Sequence, residues 1–435
     1  MEYKKSIFLF ALAMCMSLHQ VTGQPMAKGG VLDLRDFELR EDGPVNMDGE
    51  WRFCWGELID PIGPADTSGI LVQVPAAWHR LKGEVPGISA QGFASYQLRI
   101  LVPADLETIT LRFTEVFSAS GYYVNGKNIG LNGLPGTNRF QAVFGYLPTL
   151  HEVPVTDSVL DLVVHVSNFE HRTGGIRGSA ELGTPMQIMT ESAKRQYRDF
   201  FLVGALLVIG IYFMGHYLMR GRLYILFFSL IGLIMAFRVM ILSDTTLLSG
   251  DWASGISRLR LEYLSFDLLV PLYVLMFRFL FPDDFPGRLF RIIIWICSLM
   301  IFLVIITPVS LFSRVFSYYM VFVMLTVVVI FFVLARSWMR GRIYAPAFTI
   351  GFAVAVVGAI MDMLNVADAT EWPMISHFTT IIFLLTYAIV FSAKHYDEMR
   401  RNRLVPDEIL QHSEDTVAHV EEVDRDQQRD ISGRK

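Results

Sequence analysis

The sequence predicts a membrane protein of two parts: an N-terminal all-β jelly-roll domain followed by an all-α bundle of seven transmembrane helices. Hydrophobic residues make up 53% of the 435 residues, which is typical of a membrane protein that carries a soluble portion. Seven apolar blocks fill the second half of the chain. Short segments of alternating apolar and polar residues fill the first half, and this period of two predicts strands with one buried face.

Each apolar block is close to the roughly 20 residues that a helix needs to cross about 30 Å of hydrocarbon. A soluble helix carries an apolar stripe, whereas these blocks are apolar all round. Because lipid offers the backbone no hydrogen-bond partners, each block must be helical. The blocks are residues 200–219, 223–242, 263–281, 289–307, 315–335, 343–364 and 372–391.

Basic residues predict the orientation of the bundle. The loops after blocks one, three and five, and the segment after block seven, are rich in arginine. The alternate loops are poor in basic residues, with Arg258 and Arg260 at the head of the third block as the main exception. Since basic loops stay in the cytoplasm, we expect the N-terminus outside and the C-terminus inside. Seven crossings also require the two ends to lie on opposite sides.

Composition argues against several classes of function. A net charge of −5 without a basic patch argues against nucleic-acid binding. Of the three cysteines, Cys15 lies in the N-terminal leader, Cys297 lies in the fourth block, and Cys54 alone is expected outside. We therefore expect neither an intrachain disulfide nor a metal site built on cysteine.

The two ends of the chain carry their own signals. Residues 1–23 predict a secretory signal peptide, because Lys4 and Lys5 precede a short apolar run and a small-residue end. An uncleaved membrane anchor and a lipoprotein modified at Cys15 are the alternatives. Residues 397–435 are expected to form a short charged cytoplasmic tail that is disordered beyond its first helical turns.

Residues 24–190 are expected to form a separate β domain on the outer, periplasmic side of the membrane. Alternation is clearest in residues 95–102, 108–116 and 159–168. Asn125-Gly126 is the strongest hairpin signal, because a two-residue turn of this type needs positive φ at both positions. Several short strands over about 150 residues predict a sandwich or jelly roll.

A series of motifs along this domain resembles the galactose-binding-like jelly roll at the front of many glycoside hydrolases. The motifs are DGEWRF at 48–53, VPAAW at 74–78, GFASY at 92–96, LRF at 111–113, YVNGK at 123–127 and VHVSN at 164–168. Such a domain directly ahead of seven spans, here residues 198–396, is similar to the bacterial seven-transmembrane receptors with diverse intracellular signalling modules.

The resemblance implies a sensory receptor or receptor subunit, multi-pass in the bacterial inner (cytoplasmic) membrane, with a periplasmic N-terminal domain and a cytoplasmic C-terminus. It implies a carbohydrate-like or other small-molecule ligand. The usual cytoplasmic output of that family is not visible in the sequence, so we expect a separate cytoplasmic signalling protein, such as a cyclase or kinase, as partner. A homodimer is left open.

One group of candidate residues concerns the ligand. Sugar sites combine an aromatic face, which stacks on a pyranose, with amide or charged groups that bind hydroxyls. The segment 168–175 follows a predicted strand and is rich in such groups. The candidates for ligand contact are Trp78, His79, Phe140, Asn168, His171, Arg172 and Arg177. The alternatives are that Trp78, like Trp51, belongs to the core, and that this rim contacts the membrane domain or a partner protein.

A second group concerns coupling within the membrane. An ionisable side chain is costly in hydrocarbon, so its presence there indicates a function. The orientation places five such residues in the outer part of the bundle: Arg238, Glu262, Asp267, Asp362 and His377. The hypothesis is that Arg238 pairs with Asp267 or Asp362 and that ligand binding shifts this pairing. A static ion pair, or side chains that reach the outer interface, is the alternative.

Two other functional classes compete with the receptor. A transporter or channel-like protein would show internal repeats and broken helices, and only Pro271 and the Gly351/Gly358 pair hint at it. An intramembrane enzyme would need a recognisable arrangement of catalytic groups, and His216, Asp362 and His377 do not form one. We therefore predict no catalytic residue, no metal and no cofactor.

Overall fold

The computed structural model describes residues 24–62, 69–103, 105–145, 147–243, 255–342, 344–366 and 375–393. The predicted fold class is confirmed: a β domain precedes seven long apolar helices. The predicted signal peptide and the predicted cytoplasmic tail lie outside the described residues.

The β domain contains two large sheets and one small sheet. The strands are β1 Val31–Asp33, β2 Val45–Asn46, β3 Gly49–Trp55, β4 Ile70–Val74, β5 Ala76–Ala77, β6 Gly92–Leu101, β7 Thr108–Phe113, β8 Val116–Phe117, β9 Ala119–Val124, β10 Lys127–Asn132, β11 Thr149–Pro154, β12 Val159–Asn168, β13 Gly175–Ile176 and β14 Ala180–Gly183. The first sheet has the order β10-β9-β12-β6-β3-β4, with β1 beside β6. The second has the order β11-β7-β14-β2, and the third β5-β13-β8.

One apolar core holds the two large sheets together. Trp51 on β3 and Leu111 on β7 belong to opposite sheets, and both side chains are fully buried in the same cluster. The Trp51 indole donates to the Met47 carbonyl at 2.8 Å, so its polar atom is satisfied within the core. The predicted hairpin joins β9 to β10, with φ of 48° at Asn125 and 78° at Gly126.

Seven helices follow the β domain in the part of the chain that the structure describes. They are α1 Pro185–Arg220, α2 Leu223–Leu242, α3 Gly255–Leu280, α4 Gly287–Ile306, α5 Val309–Met339, α6 Ala345–Val366 and α7 Ser376–Ala393. Each is long and apolar enough to cross a membrane by length and composition, and each overlaps one predicted block. The bounds of α2 are those predicted from the sequence.

Helix α1 begins fifteen residues before the apolar block that predicted it. Thr184 forms a capping box with Gln187, and Pro185 occupies the first helical position. The helix has 36 residues, which corresponds to about 54 Å, well beyond the thickness of the hydrocarbon. The apolar-block criterion locates only the part of a helix that lies in lipid. The additional turns join the membrane span to β14 through a single residue, Thr184.

Candidate functional site

A cavity of about 610 Å³ lies between the β domain and the helical bundle. Its outer wall comes from β5, β7, β8 and the loops beside them, and its inner wall comes from every helix except α4. This volume is within the range of about 300–1,000 Å³ that is typical of small-molecule sites. A molecule bound there would contact both parts of the protein at once.

The outer part of the cavity is charged, with an excess of arginine. Its eight arginines are Arg80, Arg112, Arg172, Arg177, Arg195, Arg198, Arg238 and Arg258. Its five carboxylates are Glu115, Glu181, Asp199, Glu262 and Asp362. At neutral pH the lining therefore favours an anion.

The inner part of the cavity is apolar. Its walls are side chains of α3, α5 and α6, among them Phe266, Val270, Phe316, Val327 and Phe352. The few polar groups at this depth have partners of their own. The Thr326 hydroxyl, for example, donates to the Phe322 carbonyl at 3.0 Å.

His171 joins the β domain to the bundle at the edge of the cavity. Its Nε2 lies 3.1 Å from the Tyr263 hydroxyl oxygen on α3, and its ring stacks on Phe117 with 4.7 Å between centroids. Nδ1 is in contact with Thr173 of the same loop. Both ring nitrogens thus have partners, although the side chain is almost fully buried. Burial lowers the pKa of His171 to about 3, and the charges of Arg177 and Arg172 act in the same direction.

Two neighbours of His171 complete this contact. The Arg172 guanidinium donates from Nη1 to the Ser317 hydroxyl on α5 at 2.9 Å. The buried Asn168 amide donates to the carbonyls of Ala90 and His171 and accepts from the His171 backbone N–H. Asn168 therefore fixes the shape of the loop that carries His171 and Arg172, and it does not line the cavity.

A second contact joins the β domain to α1. Glu181 on β14 pairs with Arg112 on β7 at 3.1 Å and with Arg195 on α1 at 2.9 Å. Burial raises the pKa of Glu181, but the hydrogen bond from Arg195 and the charge of Arg112 outweigh it and the pKa is lowered. The carboxylate stays ionised and bridges both parts of the chain.

Arg238 lies between the charged and the apolar parts of the cavity. Its Nη1 donates to the Glu262 carbonyl at 2.8 Å and to the Ser265 hydroxyl at 3.2 Å. Its guanidinium carbon lies 5.5 Å from the centre of the Phe266 ring. The sequence-based hypothesis paired Arg238 with Asp267 or Asp362, and the described residues show neither ion pair. The oxygens of α3 are closer partners.

The two carboxylates of that hypothesis have other surroundings. Asp362 accepts from the backbone N–H groups of Ile375 and Ser376 at 2.9 and 3.4 Å, and so caps the start of α7. Asp267 is fully buried, and neither of its carboxylate oxygens has a hydrogen-bond partner among the described residues.

The structure brings together residues that the sequence assigned to two separate groups. Those of the predicted candidates that line the cavity are His171, Arg172, Arg177, Arg238, Glu262, Asp362 and His377. The other candidates do not line it. Trp78 is fully buried and donates from its indole to the Tyr96 hydroxyl at 2.8 Å, whereas His79 is exposed and Phe140 is 99% exposed on a loop.

Sequence reasoning missed several residues of this cavity. Tyr263 was assigned only to an apolar block, and Arg195, Arg198 and Asp199 precede the block of α1. Arg258 was noted only as an exception to the charge rule. The ionisable residues just outside an apolar block were the available signal, but the partners of Tyr263 and Asp199 include His171 and Ser243, which lie far away in the sequence.

The buried imidazole makes the contact between the two parts sensitive to acid. In the unfolded protein, where water surrounds His171, the pKa of this residue is about 6.5. Below that pH the unfolded state therefore binds a proton that the folded state excludes. We expect the free energy of unfolding to fall by up to about 1.4 kcal/mol per pH unit between about pH 6.5 and pH 3 on account of this residue.

Thermal unfolding in lipid nanodiscs, measured from pH 7 to pH 5, checks this expectation. His171→Gln should show a weaker pH dependence than the wild type. Burial also lowers the pKa of His151 and His165, and both remain in every variant. Equal slopes for His171→Gln and the wild type would contradict the assignment.

No group of three or more His, Cys, Asp or Glu side chains that could hold a metal ion occurs among the described residues.

Solved structures resemble this chain only in part. β-Glucuronidase from Ruminococcus gnavus in complex with D-glucuronic acid is 18% identical over 32% of this chain and 29% of its own, with a TM-score of 0.27. β-Glucuronidase from Faecalibacterium prausnitzii is 18% identical over 33% of this chain and 31% of its own, with a TM-score of 0.26. This chain thus spans less than a third of those enzymes, and a likeness of this size carries no argument about activity. No curated protein matches the sequence.

The helical half gives a specific match. Residues 195–394 match the family described as 7TM diverse intracellular signalling. This range begins within α1 and ends one residue after α7, so it covers the seven apolar helices of the structure. The chain is thus a multi-pass membrane protein whose seven-helix domain matches the family described as 7TM diverse intracellular signalling.

Proposed function

We propose that this protein is a membrane sensory receptor, or a receptor subunit, in which a small-molecule ligand bound outside the membrane alters the arrangement of the seven helices. The domain of residues 24–190 faces the periplasm, the spans of residues 198–396 cross the bacterial inner membrane, and the arginine-rich loops face the cytoplasm. The helices relay the ligand state to a cytoplasmic signalling protein such as a cyclase or kinase.

One observation carries this proposal: the cavity has one wall in the β domain and the other in six helices. A ligand shifts an equilibrium between two states only if its affinity differs between them. A molecule in contact with both walls meets that condition whenever the β domain and the bundle move relative to each other. Helix α1 is continuous from Pro185 to Arg220 and follows β14 after one residue, which supports transmission of such a movement across the membrane.

A cross-link between the two walls tests this coupling without a known ligand. Arg172→Cys and Ser317→Cys place thiols at a contact between the β domain and α5. Cys15, Cys54 and Cys297 are replaced by alanine in the same chain. A membrane-impermeant bismaleimide is added to intact cells, so the cross-link forms only if this contact lies outside. Amide hydrogen exchange is then measured in lipid nanodiscs.

We expect the cross-link to change amide exchange at residues 220–223 and 281–287, at the far ends of the helices, several-fold. The matched control is the same double variant treated with a monofunctional maleimide, which labels both thiols without joining them. A cross-linked protein whose exchange at these loops equals that of the control would overturn the receptor proposal. Failure of the impermeant reagent to reach the pair would overturn the orientation.

A further inference from the structure

We propose that the cavity binds an amphiphile, namely an acyl chain that carries one anionic carboxylate or phosphate head group. The head lies among Arg172, Arg238 and Arg258, and the chain extends into the apolar part between α3, α5 and α6. This inference deepens the receptor proposal by naming the class of ligand, and it rests on that proposal only for the claim that binding is transmitted.

The first argument is the charge of the cavity. Arg112, Arg195 and Arg198 have carboxylate partners in Glu181 and Asp199. In contrast, Arg172, Arg238 and Arg258 donate only to hydroxyl and carbonyl oxygens among the described residues.

Three half-buried guanidinium groups that donate to no carboxylate of the described residues favour an anion among them. The interaction is strong because arginine donates to carboxylate and phosphate through short, charge-assisted hydrogen bonds.

The second argument comes from unused hydrogen-bond donors and acceptors. Arg172 Nε, Arg195 Nε and His377 Nε2 are buried without a hydrogen-bond partner among the described residues. All three side chains line this cavity. Such buried atoms are uncommon in folded proteins and each calls for a reason. A polar head group in the outer part of the cavity would supply partners for them.

The third argument is the length of the apolar part. Along α3 the apolar lining extends from Phe266 to Tyr273, which is about 10 Å of helix and lies beyond the charged lining at Arg258 and Glu262. Along α5 it extends from Phe316 to Ile330, which is about 21 Å. A long unbranched acyl chain matches such a channel, and its burial is favourable by about 0.8 kcal/mol for each CH₂ group.

The same lining disfavours a free sugar in the inner part of the cavity. A carbohydrate carries a hydroxyl on nearly every carbon, and each hydroxyl buried without a partner costs at least about 1 kcal/mol. The walls at this depth are Phe266, Val270, Phe316 and Val327, whose side chains offer no hydrogen bonds. The inferred ligand is therefore amphiphilic.

A titration with fluorescently labelled palmitate tests the inference. The full chain is placed in nanodiscs of phosphatidylcholine, which carries no net charge, and binding is measured against empty nanodiscs. We expect saturable binding that unlabelled palmitate displaces and that methyl palmitate, with the same chain but no charge, does not. We expect Arg238→Met and Arg258→Met each to weaken binding by about tenfold or more.

Arg260→Met is the matched control. Arg260 lies on the same helix as Arg258 and also donates to backbone carbonyls, those of Val304, Ile305 and Thr307, but it does not line the cavity. This variant should bind palmitate as the wild type does. Equal displacement by methyl palmitate, or unchanged affinity in Arg238→Met and Arg258→Met, would overturn the inference.

A second arm identifies the source of the amphiphile. Native mass spectrometry of the protein purified from cell membranes reports whether a fatty acid or an anionic phospholipid such as phosphatidylglycerol accompanies it. The site is supported if either lipid accompanies the wild type and Arg260→Met but is lost from Arg238→Met. Retention of the same lipid in all variants would contradict it.

The two proposals fail separately. If palmitate binds with the expected dependence on charge but leaves amide exchange at residues 220–223 and 281–287 unchanged, the site stands and transmission by this ligand is refuted. If the cross-link alters exchange at those loops but palmitate binding shows no dependence on charge, the receptor proposal stands and the amphiphile is refuted.

Discussion

Replacing Arg238 with methionine is expected to abolish transmission across the membrane while leaving insertion and folding intact. Arg238 joins α2 to α3 through its hydrogen bonds to the Glu262 carbonyl and the Ser265 hydroxyl. It also lies within electrostatic reach of Asp362 on α6 and His377 on α7. Methionine keeps the length and the apolar stem of the side chain but removes every donor and the charge, so these helices lose their shared polar contact.

The measurement is the difference in amide hydrogen exchange between the protein cross-linked through Arg172→Cys and Ser317→Cys and its control with the monofunctional maleimide. In Arg238→Met we expect the difference at residues 220–223 and 281–287 to fall to background. Arg260→Met removes an arginine of α3 that does not line the cavity, and this variant should retain the difference. Protein yield and thermal unfolding of both variants report on insertion and folding. An undiminished exchange difference in Arg238→Met would rule out a role of Arg238 in transmission.

Replacing Arg112 with methionine is expected to lower the free energy of unfolding of the β domain by about 3 kcal/mol. The Arg112 side chain is only 3% exposed, and its partner Glu181 is only 18% exposed. Removing the cation leaves a largely buried carboxylate with Arg195 as its remaining ionic partner. A buried carboxylate that loses one of its two cationic partners is costly, because little water remains to solvate it.

Thermal or urea unfolding, followed by tryptophan fluorescence in nanodiscs, measures this effect. Arg99→Met is the matched control, because Arg99 pairs with Asp161 at 2.8 Å on the surface, with both side chains nearly half exposed. Loss of this exposed ion pair should lower the free energy of unfolding by no more than about 1 kcal/mol. The double variant Arg112→Met with Glu181→Met should recover much of the lost stability, since it also removes the carboxylate that has lost one of its two cationic partners. Similar costs for Arg112→Met and Arg99→Met would contradict the assigned role of the buried pair.

Several elements could be predicted because their cause is local. A helix in lipid needs about 20 consecutive apolar residues, so composition alone located seven spans and gave the bounds of α2 correctly. The Asn125-Gly126 turn needs positive φ at two neighbouring residues, and the sequence places there two residue types that accept it. The start of α1 was missed because a capping box and polar turns, rather than lipid, specify it.

The candidate site could be predicted only as a set of residues. Arg238, Asp362 and His377 were identified because a charge in an apolar block is conspicuous, and His171 and Arg172 because they follow a strand end. Their meeting in one cavity depends on how the β domain lies on the bundle, which no local pattern encodes. His171 and Tyr263 are 92 residues apart, yet their side chains are 3.1 Å apart.

Local patterns in the chain therefore specify the β domain, the seven membrane helices and the residue types with which ionic contacts could form. The folded arrangement specifies which of those residues share a cavity, that Asp362 caps α7, and that Arg238 bonds to α3 and not to a carboxylate. The two kinds of information differ in the distance along the chain over which they act. Hydrophobic periodicity and turn conformation act between neighbours in the chain, whereas a cavity between two domains is formed by surfaces that meet only after each domain has folded.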